Sequence, residues 1–189
     1  MATPGTDGAA APSAPIEQLR GAINRVLEVL QDPAFKGEAH AAERRRTVRR
    51  IANEIFDFDE TGRRALGQHW RALDQSQQRE FVDLFADVLQ LAYTSKIELY
   101  AGEKIQYTRE RVDDGFATVS TRLITKKGTE IPIDYRMHER GGRWWIFDVS
   151  IEGVSLIANY RAQFDNIIRT SSPQELMRRM RSKAEEVRP

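Results

Sequence analysis

The sequence predicts an α+β domain in which helices pack on one face of a strongly twisted four-stranded antiparallel meander. Two observations carry that prediction. Apolar residues recur every three to four positions up to about Tyr100, switch to every second position between Lys104 and Ile151, and return to helical spacing from Val154. The turn signals Asp114-Gly115, Lys127-Gly128 and Gly141-Gly142 separate the four alternating stretches, and turns that short join antiparallel neighbours.

The first helix runs from Ile16 to about Leu30, with Leu19, Ile23, Val26, Leu27 and Leu30 on one face, and Asp32-Pro33 ends it. A second covers Ala41 to Ile55, where Val48, Ile51, Ala52 and Ile55 form a stripe. Asp59 is placed to start a short third helix carrying Leu66 and Trp70. Asp74 and Gln77 have capping-box spacing ahead of the strongest amphipathic segment, whose broad arc holds Phe81, Leu84, Phe85, Val88, Leu89, Leu91 and Ala92.

Strands are expected over Lys104–Val112, Phe116–Ile124, Glu130–Glu139 and Trp144–Ile151. Alternation puts Ala117, Val119, Thr121 and Leu123 on one face of the second, and Ile131, Ile133, Tyr135 and Met137 on one face of the third. In the fourth, Trp145, Phe147, Val149 and Ile151 are expected together, so one sheet face is apolar and needs a cover. The flanking helices supply it. After Gly153 a helix extends to Arg169, and Ser172-Pro173-Gln174-Glu175 opens a last one bearing Leu176, Met177 and Met180.

The domain organisation follows. Residues 1–15, rich in alanine, proline and glycine, read as a flexible tail, 16–180 as one domain, and 181–189 as a charged C-terminal tail. The first segment has neither the basic nor the apolar region of a signal peptide. It has the look of the start of an exported chain from which a leader has been removed.

Composition excludes several functions. The 29 basic and 28 acidic residues leave a net charge of +1, so bulk attraction to nucleic acid is not expected. No apolar run approaches the ~18 residues of a membrane span. With no cysteine, thiol nucleophiles and the usual zinc clusters are out. The three histidines, His40, His69 and His138, are scattered without ligand spacing, so neither metal nor cofactor is expected.

Ser155 follows Gly153 but lacks the second glycine of a nucleophile elbow, and a helix cap is its simpler role. Four of Arg44, Arg45, Arg46, Arg49 and Arg50 fall opposite the apolar stripe of their helix. That is the pattern of a solvated face, with Arg45, Arg46, Arg49 and Arg50 as a candidate surface for lipid head groups or an acidic protein.

The stretch from Trp144 to Arg161, W-W-I-F-D-V-S-I-E-G-V-S-L-I-A-N-Y-R, with Gln163-Phe164 and Ile167-Ile168 after it, resembles the signature of the MlaC-type phospholipid-binding, or toluene-tolerance, family. The similarity extends over about Ile16 to Met180, and departs at Phe147, where tyrosine is expected. The resemblance implies an NTF2-like cone of sheet and helices and a soluble periplasmic, non-catalytic carrier moving phospholipid between an inner-membrane MCE-domain ABC transporter and an outer-membrane lipoprotein complex. A hopanoid or other polycyclic lipid is an alternative cargo. An NTF2-like enzyme using Asp134 or Asp148 as a base near Tyr135 is the competing class.

Two chains of ~16 carbons exposed to water cost on the order of 25 kcal/mol at ~0.8 kcal/mol per methylene, so a carrier must hide them. The expected lining is Phe81, Phe85, Val88 and Leu89 from the long helix, Val119, Leu123, Ile133, Tyr135, Trp145, Phe147 and Val149 from the sheet, and Val154, Ile157 and Tyr160 from the closing helix. Gly102 and Gly153 are candidate hinges, and the carrier is expected to act as a monomer.

Overall fold

A computed structural model describes residues 14–185. Pro15 opens α1 (Pro15–Gln31), where its missing N–H would be unpaired anyway, so the helix begins one residue inside the expected tail. The remainder of that tail, 1–13, lies outside the described residues. α2 (Ala41–Ile55) turns back after two 3-10 turns and buries Val48, Ile51 and Ile55.

The third helix starts earlier than the sequence suggests. Its cap is Asp57, not Asp59: the Asp57 carboxylate accepts from Glu60 N–H at 3.0 Å and opens α3 (Phe58–Leu66). The reason is tertiary. Asp57 is buried and held by His138 Nε2 at 2.9 Å and Arg140 Nη1 at 2.8 Å. Gly67, at φ 55°, stops the helix, so Trp70 falls in a 3-10 turn instead. α4 (Gln75–Glu98) carries the complete capping box between Asp74 and Gln77.

The sheet is an antiparallel meander of five strands, β1 (Lys104–Asp113), β2 (Phe116–Ile124), β3 (Glu130–Arg140), β4 (Arg143–Ile151) and β5 (Val154–Ser155), in that spatial order. The fifth was not expected. Glu152 and Gly153 both take positive φ, 52° and 81°, a two-residue hairpin turn that folds Val154 and Ser155 back onto Ile151 and Ser150. Ser155 then caps α5 (Leu156–Thr170), accepting from Ala158 N–H at 3.1 Å. In α6 (Pro173–Glu185) Ala184, four residues after Met180, keeps to the buried stripe, so the helix runs on to Glu185 within the expected charged tail, of which 186–189 lie outside the described residues.

A bulge corrects the face assignment in β4. Arg136 pairs with Asp148 and Met137 with Ile146, leaving Phe147 without a residue opposite. Trp144, Ile146, Val149 and Ile151 therefore share the inner face, toward α1 and α2. Phe147 turns to the outer face, where its ring meets those of Phe116 at 6.2 Å and His138 at 5.8 Å.

Two cores result. In the first, α1 and α2 lie on the inner face of the sheet, with Leu19, Ala22, Ile51 and Ile55 against Ala117, Val119, Met137, Trp144 and Ile146. In the second, α3, α4, α5 and α6 bury Leu66, Phe81, Phe85, Val88, Phe164, Leu176 and Met180 among themselves. Gly62 lets α3 and α4 approach closely, since a Cβ there would lie 3.0 Å from Val82 Cγ2. The four-helix layer closes the edge of β4: Asp57 N–H donates to Ile146 O at 2.8 Å and Thr61 Oγ1 to Phe147 O at 2.9 Å.

Candidate functional site

The expected lining divides between the two cores. Phe81, Phe85, Val88, Leu89 and Tyr160 belong to the helical core, whereas Val119, Ile133, Tyr135 and Val149 belong to the sheet core. Leu123 continues the same sheet face and is half-buried. Three residues sit elsewhere. Trp145 and Phe147 are displaced by the bulge; the Trp145 ring is faced by Arg140 at 5.2 Å and Arg143 at 4.8 Å, the Phe147 ring by Arg64 at 4.3 Å. Val154 is 59% exposed because β5 turns its side chain out. Ile157 is buried, its N–H donating to Asp148.

The helical core is filled. Phe81, Phe85, Tyr160 and Phe164 form a ring cluster with centroid separations of 5.1 to 5.7 Å, mostly edge to face. The space left between Leu66, Phe81, Ile168 and Met177 is about 10 Å³, no more than one water requires. A larger opening of about 630 Å³ lies between α2, α3, α4 and β4. Its stacked Phe56 and Phe58, 5.6 Å apart, belong to the first and second core respectively, so it opens where the two meet. Around it stand Asp57, Asp59, Asp83 and Asp87 with Arg49 and Arg140, a more polar wall than either core.

The junction of the cores runs along α5. Leu156 packs on the sheet core and Tyr160, one turn later, on the helical core. The first turn of α5 is anchored by Asp148, whose Oδ2 accepts from Ser155 Oγ at 2.6 Å and Oδ1 from Ile157 N–H at 3.1 Å, with Arg136 at 3.5 Å. That carboxylate is buried and engaged on both oxygens, which makes it a helix anchor. Asp134 lies on the outer face, opposite in direction to Tyr135.

The arginine run is tied down. Arg44 donates to Phe35 O at 2.7 Å and, with Arg45, to Glu98 at the end of α4. Arg49 pairs with Asp87, and Arg50 with Glu54 at 3.0 Å. Among the described residues Arg46 has no carboxylate partner and points to solvent. Three of the five arginines thus link α2 to the loop before it or to α4, and Arg50 pairs within α2 itself.

Tyr107 escaped the sequence analysis. It lies on the inner face of β1, paired with Thr121 and packed on the first core beside Tyr135. The alternation of Ile105 and Tyr107 was the available signal, but the shift in β1 after Tyr107 breaks the pattern before it becomes regular. Burial pushes the Tyr135 hydroxyl up to about 12 and raises that of Tyr107, so both are protonated donors at neutral pH.

The family model of the MlaC protein matches residues 20–182. The chain belongs to the MlaC family. Among curated members it is 20% identical, over 95% of its length and 86% of the relative's, to the intermembrane phospholipid transport system binding protein MlaC of Haemophilus influenzae. It is 24% identical to the toluene tolerance protein ttg2D of Pseudomonas putida over 62% of its length and 55% of that protein's. Among solved structures, a phospholipid-binding protein of Ralstonia solanacearum, determined in complex with a phospholipid, superposes with a TM-score of 0.78 at 21% identity, covering 90% of this chain and 96% of the other. The α+β fold is therefore that of a MlaC family member. No helix among the described residues is long and apolar enough to cross a membrane.

Proposed function

We propose that the protein is a periplasmic phospholipid carrier that holds acyl chains between its two cores and moves lipid between an inner-membrane MCE-domain transporter and an outer-membrane lipoprotein complex. The observation that carries this reading is the division of the apolar interior into two cores that meet along the first turn of α5 and at the Phe56–Phe58 stack. Chains inserted along that junction would have Phe85, Leu89 and Tyr160 on one side and Ile133, Tyr135, Val149 and Leu156 on the other. No bond need be made or broken. Binding needs the four-helix layer to move away from the sheet about its attachment to β4 at Asp57 and Thr61, and two of the chain's crossings between the layers pass through Gly102 (φ 93°) and Gly153 (φ 81°), positions suited to act as hinges. The relatives named for phospholipid transport and binding support the cargo class.

The test is direct. Organic extraction of the purified protein followed by mass spectrometry is expected to recover phospholipid, and delipidated protein is expected to take lipid up from vesicles. Protein that emerges empty and takes up none refutes the reading, and recovery of a polycyclic lipid alone would replace the cargo.

A further inference from the structure

Two buried side-chain polar atoms among the described residues lack a hydrogen-bond partner, Gln90 Oε1 and Tyr107 Oη. They differ in kind. Gln90 is otherwise paired, its amide donating to Asn53 Oδ1 at 3.1 Å, and what it lacks is a donor. Tyr107 carries a hydroxyl proton with nowhere to go. Folded proteins seldom leave such a donor buried, because the group loses its water without replacement. Thr121, directly across the strand pair, donates its own hydroxyl to Ile133 O at 3.1 Å and makes no hydrogen bond with Tyr107.

The surroundings describe the missing acceptor. The Tyr107 ring lies on the inner face of the sheet against the first core, and the Arg20 guanidinium of α1 covers it, 4.7 Å from the ring centre. Arg20 is partly solvent-exposed and its one ion pair among the described residues, with Glu17 at 3.3 Å, is on the surface. From outside to inside the order is therefore a cation at the water boundary, a phenol hydroxyl beneath it, and aliphatic side chains beyond. A glycerophospholipid has the same order: phosphate, ester carbonyls, acyl chains. Its apolar part brings hydrogen-bond acceptors at one depth only, the two esters.

We propose that Tyr107 Oη donates to an acyl-ester carbonyl of the bound glycerolipid, with the phosphate near Arg20, and that the protein thereby prefers ester-linked over ether-linked lipids. This inference rests on the carrier reading above. It names a selective contact where apolar chain burial alone would distinguish nothing.

The experiment compares uptake from vesicles of dipalmitoyl phosphatidylcholine with that of its diether analogue, identical in head group and chain length but without carbonyls. A neutral hydrogen bond corresponds to a preference of about 2- to 10-fold. Wild-type protein is expected to favour the diester by that factor, and Tyr107→Phe to take both equally while its lipid-free form melts no lower than wild type. The last readout separates the proposal from a structural role, because removing a structural hydroxyl would lower the melting temperature. Equal uptake of both lipids by wild type, or a diester preference retained in Tyr107→Phe, overturns the inference while leaving the carrier reading intact. Uptake of neither lipid by wild type overturns both.

Discussion

Leu156 and Tyr160 stand one turn apart on α5, yet Leu156 packs against the sheet and Tyr160 against the helical layer. One short helical face thus joins the two cores, on a different element from the Phe56–Phe58 stack. The Tyr160 ring is 5.1 Å from that of Phe85 and 5.6 Å from that of Phe164. Removing a half-buried aromatic from such a cluster costs about 2–4 kcal/mol. Tyr160→Ala is therefore expected to lower the stability of lipid-free protein by that amount. If acyl chains occupy the junction, lipid-loaded protein should lose less, because the chain fills the vacated space. Urea unfolding of both forms measures the difference, and an equal loss in each would place the cargo elsewhere.

Asp148 and Ser155 make one unit. The hydroxyl of Ser155 donates to the carboxylate at 2.6 Å and accepts from Ala158 N–H at 3.1 Å, so it ties the start of α5 to β4. Ser155→Ala is expected to cost about 1–2 kcal/mol as a lost cap, and Asp148→Asn about 2–4 kcal/mol as a buried charged anchor disrupted. Because both act on the same turn, the double variant should cost less than the sum, with a coupling of about 0.5–3 kcal/mol in a double-mutant cycle. Strict additivity would show that the two do not act together.

The arginines of α2 separate into structural and free groups. Arg44, with only 16% of its side chain exposed, bonds to Phe35 O and Glu98, so Arg44→Ala is expected to cost about 1–3 kcal/mol. Arg46→Glu should change stability by no more than about 0.5 kcal/mol. Charge reversal at Arg46 is thus the clean probe of whether this face meets an anionic partner. Arg49→Glu is not, since it places a second acid beside Asp87 and confounds docking with folding.

Most elements of this fold were legible because each carries its own periodicity, and caps such as Asp74 with Gln77 and Ser155 are local. What failed was non-local. The run Trp144 to Ile151 is apolar at nearly every position, so alternation fits two registers, and only pairing with β3 reveals that Phe147 is the extra residue. The cap at Asp57 escaped for the same reason, as its partners His138 and Arg140 are some eighty residues away. The site suffered most. Periodicity identifies Phe85 and Val149 as buried but cannot say against what, and they proved to line different cores. The arginine run reads as a solvated face because its acceptors, Glu98 and Asp87, lie on another helix.

The start of α6 carries a pH signature. Glu175, at the third helical position, receives Arg178 and Arg179, which hold its carboxyl down at about 2 against an ordinary 4.5. A depressed carboxyl adds stability only while it is ionised in the folded protein. The contribution is fully present above about pH 4.5, declines as the unfolded chain begins to hold the proton, and is lost as pH falls through about 2. Glu175→Gln cannot titrate there. The melting temperatures of wild type and variant are expected to differ by a constant amount above pH 5 and to converge between pH 4.5 and pH 2. Added salt should shrink the gap at neutral pH, because the partners are exposed and screened. A gap that persisted unchanged down to pH 2 would assign the role of Glu175 to its uncharged packing and not to the two guanidinium groups.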